Sequence, residues 1–244
     1  MDASDSIIIE QVNHRFGKRQ VLFDIGLRMP AGQVFGLLGP SGCGKTTLVK
    51  IIAGILRPAS GRVSVLGQAM PRLDVMARIG YMAQSDALYT SLSAEQNLQF
   101  FAALYGISGA RAKKRIREVM ELVNLGGELK KAVGAYSGGM KRRLSLALAL
   151  LASPPVLLLD EPTVGIDPLL RQDIWRELHE LAAAGTAVLV TTHVMDEAEK
   201  CHRLAMMREG RLIAQGSVKE LIAGAGKDTI EQAFIHYGGD GLCG

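Results

Sequence analysis

The sequence predicts an α/β fold with a largely parallel sheet, a β-rich N-terminal part and an inserted helical segment. Two uninterrupted aliphatic runs, at residues 156–159 and 187–191, are typical of parallel strands covered on both faces. Between residues 93 and 125, in contrast, apolar residues recur at helical spacing. A chain of 244 residues is long enough for one large domain with such an insertion.

The first third of the chain alternates β-rich stretches with turns that contain glycine or proline. A glycine-rich loop interrupts this pattern after residue 38 and leads into a helical stretch. The pattern predicts strands at residues 7–16, 20–29, 33–38, 62–66 and 78–82, and a helix at residues 46–53.

The middle of the chain is helical, and the α/β alternation then returns. Ser93 and Gln96 have the spacing of a capping box, which predicts the start of the first inserted helix. Residues 217–244 predict only a weak helix and a glycine-rich tail. The other predicted elements are helices at residues 110–123, 140–152 and 169–184, strands at 156–159 and 187–191, and a hairpin at 203–216.

Composition restricts the class of protein. Hydrophobic residues make up 48% of the chain, enough for a packed core, whereas aromatic residues make up 5%, too few for a surface that stacks bases or sugars. The net charge of +4 does not by itself indicate nucleic acid, but it suits work beside phosphates or lipid headgroups. Three widely spaced cysteines match no disulfide or zinc pattern, so we expect a reducing compartment.

No segment has the pattern of a leader or a membrane span. The first ten residues are acidic and contain a short apolar run, which does not fit a secretory signal. The longest apolar stretch, residues 144–159, is interrupted by serines and prolines, and it falls short of the roughly 20 apolar residues that a span needs. We therefore expect any membrane role to come through a partner.

The glycine-rich loop fits the pattern G-x-x-x-x-G-K-[ST] between a strand and a helix. Its backbone N–H groups can surround phosphate oxygens, and the helix N-terminus adds about half a unit of positive charge. Lys45 is expected to reach the β- and γ-phosphates, and the Thr46 hydroxyl to ligate Mg²⁺. The alternative is a glycine-rich turn with an accidental lysine, which the flanking strand and helix disfavour. The loop comprises Gly39, Pro40, Ser41, Gly42, Cys43, Gly44, Lys45 and Thr46.

Two carboxylates follow the apolar strand at residues 156–159. Carboxylates at the end of a buried strand cost free energy of desolvation, so their presence there indicates a function. Asp160 is expected to hold Mg²⁺ through its water shell, and Glu161 to polarise the water that attacks the γ-phosphate. A capping role for Asp160 is the alternative, and the phosphate loop upstream makes it the weaker one.

Two further polar residues follow predicted strands. His193 comes just after the strand at residues 187–191, where an imidazole can contact the γ-phosphate or orient the water. A structural role fits its position equally well. Gln84 follows the strand at residues 78–82, and its amide can reach Mg²⁺ or a water. The residue pattern alone favours an ordinary loop glutamine.

The step Ser137-Gly138-Gly139 begins a predicted helix and is followed at once by cations. Such a helix N-terminus can bind an anion, but a serine before a helix is most often a simple N-cap. The phosphate loop already surrounds one nucleotide. A second anion site is therefore redundant unless it serves a different copy of the chain.

Taken in order, these motifs resemble those of the ATP-binding cassette (ABC) ATPases. The Ser-Gly-Gly step is the specific element, because most other phosphate-loop proteins lack it. The resemblance covers roughly residues 7–216. It rests on the phosphate loop from Gly39, Gln84, residues 136–140, Asp160 with Glu161, residues 165–167 and His193.

The resemblance implies an α/β phosphate-loop NTPase (RecA-like) core with an N-terminal antiparallel β-subdomain and an inserted α-helical subdomain. The chain, residues 1–244, is then a single domain. Its parts are a mainly β-subdomain (1–38), the ATPase core (39–84 and 156–216), the helical subdomain (85–155) and a C-terminal tail (217–244).

The family further implies a head-to-tail dimer that encloses two ATP molecules with Mg²⁺. Each ATP lies on the phosphate loop of one copy and is closed by Ser137-Gly138-Gly139 of the other. Phe16 stacks on adenine, where the family often has tyrosine, and Asp167 links the two sites. The implied nucleotide contacts are Phe16, Gly39, Pro40, Ser41, Gly42, Cys43, Gly44, Lys45, Thr46, Thr47, Gln84, Ser137, Gly138, Gly139, Asp160 and Asp167. The implied metal ligands are Thr46, Gln84 and Asp160, and the implied catalytic residues are Glu161 (general base), His193 (γ-phosphate switch), Gln84 and Lys45.

Two departures from the family pattern concern apolar positions. Tyr136 stands where leucine is usual, and Val164 and Ile166 stand where a Ser-Ala-Leu pattern is common. The chain most resembles exporters of drugs, lipids or glycans whose membrane half is a separate permease. That partner would dock a short helix near residues 84–98 and hold this cytoplasmic chain at the inner face of the cell membrane. No nucleic acid partner is expected.

Two other classes of function fit less of the sequence. Cassette ATPases that act on DNA insert long coiled coils, and those that act on ribosomes usually carry two cassettes; the sequence shows neither. A phosphate-loop kinase or GTPase would lack the Ser-Gly-Gly step, and the chain has no Asn-Lys-x-Asp guanine motif. The predicted function is therefore the ATPase subunit of a membrane exporter.

Overall fold

A computed structural model describes residues 5–85 and 87–239 of the chain. These residues form two β-sheets and a set of helices. The strands are β1 (Asp5–Phe16), β2 (Arg19–Pro30), β3 (Val34–Leu38), β4 (Ser60–Val65), β5 (Gln68–Ala69), β6 (Ile79–Met82), β7 (Val156–Asp160), β8 (Ala187–Thr192), β9 (Arg203–Arg208) and β10 (Arg211–Gly216). The helices are α1 (Lys45–Ile52), α2 (Leu73–Met76), α3 (Ala94–Leu104), α4 (Gly109–Leu122), α5 (Gly138–Leu150), α6 (Pro168–Ala183), α7 (Met195–Ala198), α8 (Val218–Ala225) and α9 (Ile230–Gly238).

The smaller sheet is antiparallel, with strand order β2-β1-β4-β5. Ile7 pairs with Met29 of β2 and with Val65 of β4, and all three side chains are buried. β4 lies inside residues 39–84, which the family resemblance assigns to the ATPase core, whereas β3 belongs to the larger sheet. The boundary predicted at residue 38 therefore does not coincide with the edge of this sheet, because β4 returns to pair with β1.

The larger sheet has strand order β10-β9-β3-β8-β7-β6. Its neighbours from β9 to β6 are parallel, and β10 is an antiparallel edge strand. Leu38 of β3 pairs with Thr192, and Asp160 of β7 pairs with Thr191. The carboxyl ends of β3, β7 and β8 consequently meet at one edge, where ligands bind in open α/β sheets. The predicted α/β fold with a parallel sheet is confirmed.

The side chains of β7 enter two cores on opposite faces of the larger sheet. Leu157 and Leu159 belong to the core that also contains buried residues of the helical segment and α6. Leu158 belongs to the core built with α1 and the smaller sheet. All residues of β7 are buried, which accounts for the uninterrupted aliphatic run at residues 156–159.

The helical segment contains α3, α4 and α5. The predicted capping box begins α3: Gln96 N–H donates to Ser93 Oγ (3.1 Å), and Ser93 N–H donates to Gln96 Oε1 (2.8 Å). Two 3₁₀ turns, Gly126–Glu128 and Val133–Ala135, connect α4 to α5. In the described part of the chain, no helix combines the length and the apolar character needed to cross a bilayer.

The C-terminal part is more ordered than the predicted weak helix and glycine-rich tail. A capping box between Ser217 and Glu220 begins α8, and Gly226 ends it in the left-handed conformation. A second helix, α9, follows and buries Ile230 and Ala233 in the core that also contains Ala198 and Leu221. This tertiary contact stabilises a short helix whose local sequence is a weak signal. Residues 240–244 lie outside the described residues.

Candidate nucleotide-binding site

The loop between β3 and α1 leaves the first turn of α1 without a side-chain cap. Gly44 stands at the N-cap with φ of 109°, a backbone conformation that favours glycine. A Cβ atom there would approach Met207 Cε to 2.8 Å and Leu22 Cδ2 to 2.9 Å. Backbone N–H groups at such a helix start are free to bind an anion.

Lys45 is the first residue of α1 and folds back onto this loop, with 5% of its side chain exposed. Its Nζ donates to the carbonyl oxygens of Gly39 (2.7 Å) and Pro40 (3.0 Å). The same nitrogen lies 4.0 Å from Glu161 Oε1. The loop therefore holds a buried positive charge beside the carboxylate of Glu161.

A cavity of about 260 Å³ opens beside the loop. Gln84 and Glu161, which come from two other segments, form part of its wall. Val21 of β2 also lines it, and sequence reasoning missed this residue because an aliphatic side chain in a strand carries no signal of ligand contact. The lining residues are Val21, Ser41, Gly42, Gly44, Lys45, Thr46, Thr47, Gln84 and Glu161.

Cys43 and Pro40 line an adjoining cavity of about 480 Å³ on another side of the loop. The Cys43 side chain is buried, and burial raises the pKa of its thiol, partly offset by the charge of Lys45. The thiol is therefore protonated at neutral pH. Of the predicted loop contacts, Gly39, Pro40 and Cys43 do not line the smaller cavity, and the first two hold Lys45 instead.

Asp160 ends β7 with its side chain 1% exposed. Thr191 Oγ1 donates to Asp160 Oδ1 at 2.5 Å, whereas Oδ2 has no hydrogen-bond partner among the described residues. A buried carboxylate oxygen without a partner is costly, and a cation would satisfy it. Asp160 thus fits the chemistry of a metal ligand. Thr46 and Gln84 add a hydroxyl and an amide in the cavity that Glu161 lines.

Glu161 adopts a strained backbone conformation, with φ of 52°. Its N–H donates to the carbonyl oxygen (3.2 Å) and the Oγ1 atom (3.0 Å) of Thr191, which hold the turn in place. Its Oε1 lies 3.0 Å from Nδ1 of His193. Non-glycine residues in this region persist where the surrounding structure enforces them, and they cluster at functional sites.

Arg142 on α5 is a site residue that sequence reasoning missed. Its Nη1 donates to the carbonyl oxygens of Ala83 (2.7 Å) and Gln84 (3.0 Å). Its Nη2 donates to those of Asp160 and Glu161, the latter at 2.7 Å. One buried guanidinium group thus joins α5 to two segments of the cavity. In the sequence it is one of three consecutive cations, and only the contacts distinguish it.

The Ser137-Gly138-Gly139 step, which we call the signature step, lies outside the cavity of its own chain. Ser137 Oγ accepts from Met140 N–H at 3.2 Å, so the serine is the N-cap of α5. Gly138 is exposed, and a Cβ atom there would meet nothing within 4 Å. Asp167 is also exposed and caps α6 through Leu170 N–H (3.0 Å). None of these residues lines the cavity around Lys45.

Tyr136 has a structural explanation. Its side chain is 5% exposed and belongs to the core of the helical segment. Its hydroxyl donates to the carbonyl oxygen of Glu128 at 2.8 Å, and Lys131 Nζ lies 5.8 Å from its ring centroid. Burial raises the pKa of this hydroxyl. The Tyr136 side chain therefore anchors the backbone just before Ser137 to the 3₁₀ turn at Gly126–Glu128.

Phe16 ends β1 with 53% of its surface exposed. Its ring packs edge-on against His14, with centroids 4.8 Å apart. Phe16 is absent from the walls of both cavities beside the phosphate loop, so its contact with adenine stays a prediction.

Comparison with known proteins identifies the family. The model of the ABC transporter family matches residues 22–164, which span the phosphate loop, the signature step and the Asp160-Glu161 pair. This chain belongs to the ABC transporter family. It is an ATP-binding and ATP-hydrolysing subunit, and the alternative of a soluble ATPase that acts on DNA or ribosomes is not supported by its relatives.

Curated relatives of this ABC subunit match nearly the whole chain. The daunorubicin resistance ATP-binding protein DrrA3 of Streptomyces coeruleorubidus is 40% identical over 97% of this chain and 76% of the relative. The Nod factor export ATP-binding protein I of Paraburkholderia xenovorans is 40% identical over 93% of this chain and 76% of its own length. The probable multidrug ABC transporter ATP-binding protein YbhF of Escherichia coli is 40% identical, and the match covers 93% of this chain but only 40% of YbhF.

Solved structures share the fold of this ABC subunit. An ATP-binding subunit of an ABC transporter superposes with a TM-score of 0.89 at 25% identity, covering 96% of this chain and 99% of that one. A cassette solved as a dimer in a post-hydrolysis state with ADP and Pi has a TM-score of 0.81 at 25% identity, covering 86% and 98% of the two chains.

Proposed function

We propose that this subunit drives export through a separate membrane-spanning permease. The proposal is supported by relatives named for daunorubicin resistance, multidrug transport and Nod factor export. The chain itself shows no membrane-spanning helix in its described residues. In this arrangement the chain sits at the inner face of the membrane, attached through the permease.

The cavity around Lys45 is the observation that carries the catalytic part of the proposal. Lys45 stabilises the charge of the β- and γ-phosphates, and Glu161 accepts the proton of the attacking water. His193 holds the Glu161 carboxylate through Nδ1, and Gln84, which lines the same cavity, acts as a sensor of its contents. When bound, Mg²⁺ neutralises charge on the phosphate oxygens, and Thr46, Gln84 and Asp160 would hold it.

Two copies of the chain complete each site. Ser137 and Gly138 are exposed at the start of α5, outside their own cavity, which is the placement required for contact with the ATP of a second copy. The Ser137 hydroxyl accepts from Met140 N–H and keeps its own hydrogen to donate to a phosphate. A related cassette has been solved as a dimer.

Mixing two inactive variants tests this arrangement. Ser137→Arg and Lys45→Ala each damage both sites of a homodimer, but their heterodimer contains one intact composite site. The mixture should therefore hydrolyse ATP faster than the sum of the two variants alone. A mixture of Lys45→Ala with Thr46→Ala is the control, because every site then has a damaged loop. Equal, unrestored activity in both mixtures would contradict a shared site.

The permease contact is proposed at an exposed apolar cluster formed by α3 and the segment that precedes it. Tyr89 and Phe100 are 48% and 43% exposed, with ring centroids 5.2 Å apart, and Leu104 is 67% exposed. Tyr89 of this cluster comes shortly after Gln84 in the chain. A docked helix would therefore contact the segment that carries Gln84 into the cavity. Purification of the chain from solubilised membranes should recover a multi-span protein, identified by mass spectrometry. Replacing Tyr89 and Phe100 with alanine should abolish recovery, whereas Leu169→Ala, at an exposed leucine of α6, should not.

A further inference from the structure

Glu197 is a buried carboxylate that the proposed reaction does not use. It lies on α7, just after His193, and is 2% exposed. Among the described residues, no lysine, arginine or histidine forms an ion pair with it. An unpaired acid in a protein interior is costly unless strong donors satisfy it. Its presence therefore calls for a specific set of contacts.

Both carboxylate oxygens of Glu197 accept hydrogen bonds from threonine hydroxyls. Thr163 Oγ1 donates to Oε1, and Thr192 Oγ1 donates to Oε2 at 2.6 Å. Both threonines are fully buried, at 0% and 1% exposure. These two hydrogen bonds join three buried side chains from different segments into one cluster, which we call the Glu197 clamp.

The clamp joins the two segments that carry the catalytic pair. Thr163 follows Glu161 by two residues, and Thr192 immediately precedes His193. Thr192 Oγ1 also accepts from Val194 N–H at 3.0 Å, which fixes the backbone on the far side of the histidine. The two segments come from neighbouring strands, β7 and β8, and meet again where Glu161 Oε1 lies 3.0 Å from His193 Nδ1.

Thr163 also anchors the segment that leads to Asp167. Val164 N–H donates to the carbonyl oxygen of Glu161 (3.4 Å), and Ile166 N–H to that of Thr163 (3.2 Å). The turn between Glu161 and Asp167 is thus built on Thr163, and Thr163 is held by Glu197. A shift of α7 would move the histidine and this turn together.

We propose that Glu197 is a positioning residue for ATP hydrolysis, which holds His193 and Glu161 in mutual register through Thr192 and Thr163. The inference rests on the roles proposed above for Glu161 and His193. Because misplacement by about 1 Å can cost about 10²-fold in rate, loss of the clamp should lower kcat by roughly 10–100-fold. ATP binding should change little, since Glu197 does not line the cavity.

Glu197→Ala and Glu197→Gln test the proposal, with Glu199→Ala as the control at an exposed acid of the same segment. The alanine variant should lose kcat while its Kd for ATP, measured by titration, stays within about threefold. The glutamine variant should recover most of the rate, because its amide accepts from one threonine and donates to the other. Glu199→Ala should match the wild type. Unchanged kcat in Glu197→Ala, or a glutamine variant as slow as alanine, would overturn the proposal.

A double-mutant cycle separates positioning from simple structural damage. In a His193→Ala background, Glu197→Ala should cost clearly less in kcat than it does in the wild type, because one of the two residues that it positions is already absent. An undiminished additional loss would refute the proposal.

If Glu197→Ala does not fold, Thr192→Val and Thr163→Val carry the same test, each with reduced kcat and retained ATP binding. The rate of Glu161→Gln distinguishes failure of the positioning role of Glu197 from failure of the proposed catalytic roles. An active Glu161→Gln variant would refute the catalytic roles, and not only the clamp.

Discussion

His193 Nδ1 lies 3.0 Å from Glu161 Oε1, although the two residues are 32 positions apart in the chain. The contact arises because β7 and β8 are neighbouring parallel strands that end at the same edge of the sheet. Lys45 Nζ approaches the same carboxylate oxygen to 4.0 Å. The carboxylate is thus held between Lys45 of the phosphate loop and His193, which is the placement expected of the proposed general base.

Glu161→Gln should abolish turnover while ATP binding survives. The amide keeps the shape of the side chain but cannot accept a proton, so we expect a loss of about 10²–10⁴ in kcat. With saturating ATP and Mg²⁺ the variant should accumulate as a dimer, visible by size-exclusion chromatography. The exposed acid Glu231 of α9 provides the control, and Glu231→Gln should remain active. A monomeric Glu161→Gln protein under these conditions would contradict the shared-site proposal.

Arg142→Ala should damage catalysis and stability together. It leaves four carbonyl oxygens, on two segments of the cavity, without their charged donor. We expect a loss on the order of 3 kcal/mol in the free energy of unfolding, measured by urea denaturation. Arg142→Lys should recover little of the lost kcat and stability, because an ammonium group lacks the planar guanidinium fork that reaches both segments.

Arg143 offers a matched control for that experiment. Its Nη1 donates to the carbonyl oxygens of Val123 (3.2 Å) and Asn124 (3.0 Å), which both lie in the helical segment. Arg143→Ala should therefore lower stability without separating α5 from Gln84 and Glu161, and its kcat should exceed that of Arg142→Ala. Equal kcat in the two variants would show that the contacts of Arg142 to the cavity do not matter.

Gly138→Ala should leave the folded monomer intact but weaken the ATP-bound dimer. A Cβ at this position meets nothing within 4 Å in its own chain, and alanine in a helix is favoured over glycine by up to about 1 kcal/mol. Any loss of ATP-dependent dimerisation, measured by light scattering, must then come from the partner copy. Gly39→Ala is the contrast, because its Cβ would collide with the carbonyl oxygen of Met207 and should unfold the loop of the monomer itself. Normal dimerisation of Gly138→Ala would argue against the partner contact.

Tyr136→Phe should lower stability by about 1 kcal/mol, because the carbonyl oxygen of Glu128 loses its buried donor. This corresponds to a decrease of roughly 2–4 °C in Tm. Burial raises the pKa of the hydroxyl above the usual value of 10.0, so its contribution is present below pH 10 and lost as the pH rises further. The difference in Tm between wild type and variant should therefore shrink in strongly alkaline buffer. Tyr89→Phe, at an exposed ring, is the control.

The α/β class, the phosphate loop and the carboxylate pair could all be predicted from the amino-acid sequence. These features are local. A lysine in a glycine-rich loop, or an acid after an aliphatic strand, is recognised from neighbouring residues in the sequence and does not depend on tertiary contacts. The strands predicted from uninterrupted aliphatic runs are present for the same reason, since both of their faces are buried. The family resemblance rested on the order of such local motifs.

Which residues contact one another could not be predicted from the sequence and became visible in the folded chain. Arg142 and Arg143 are adjacent cations in the sequence, but the turn of α5 directs one to the cavity and the other to the helical segment. Val21 reaches the cavity wall through the antiparallel sheet, and Glu197 reaches two threonines on different segments. Contacts of this kind depend on strand order and helix rotation, which are set by packing over the whole chain rather than by any short stretch of it.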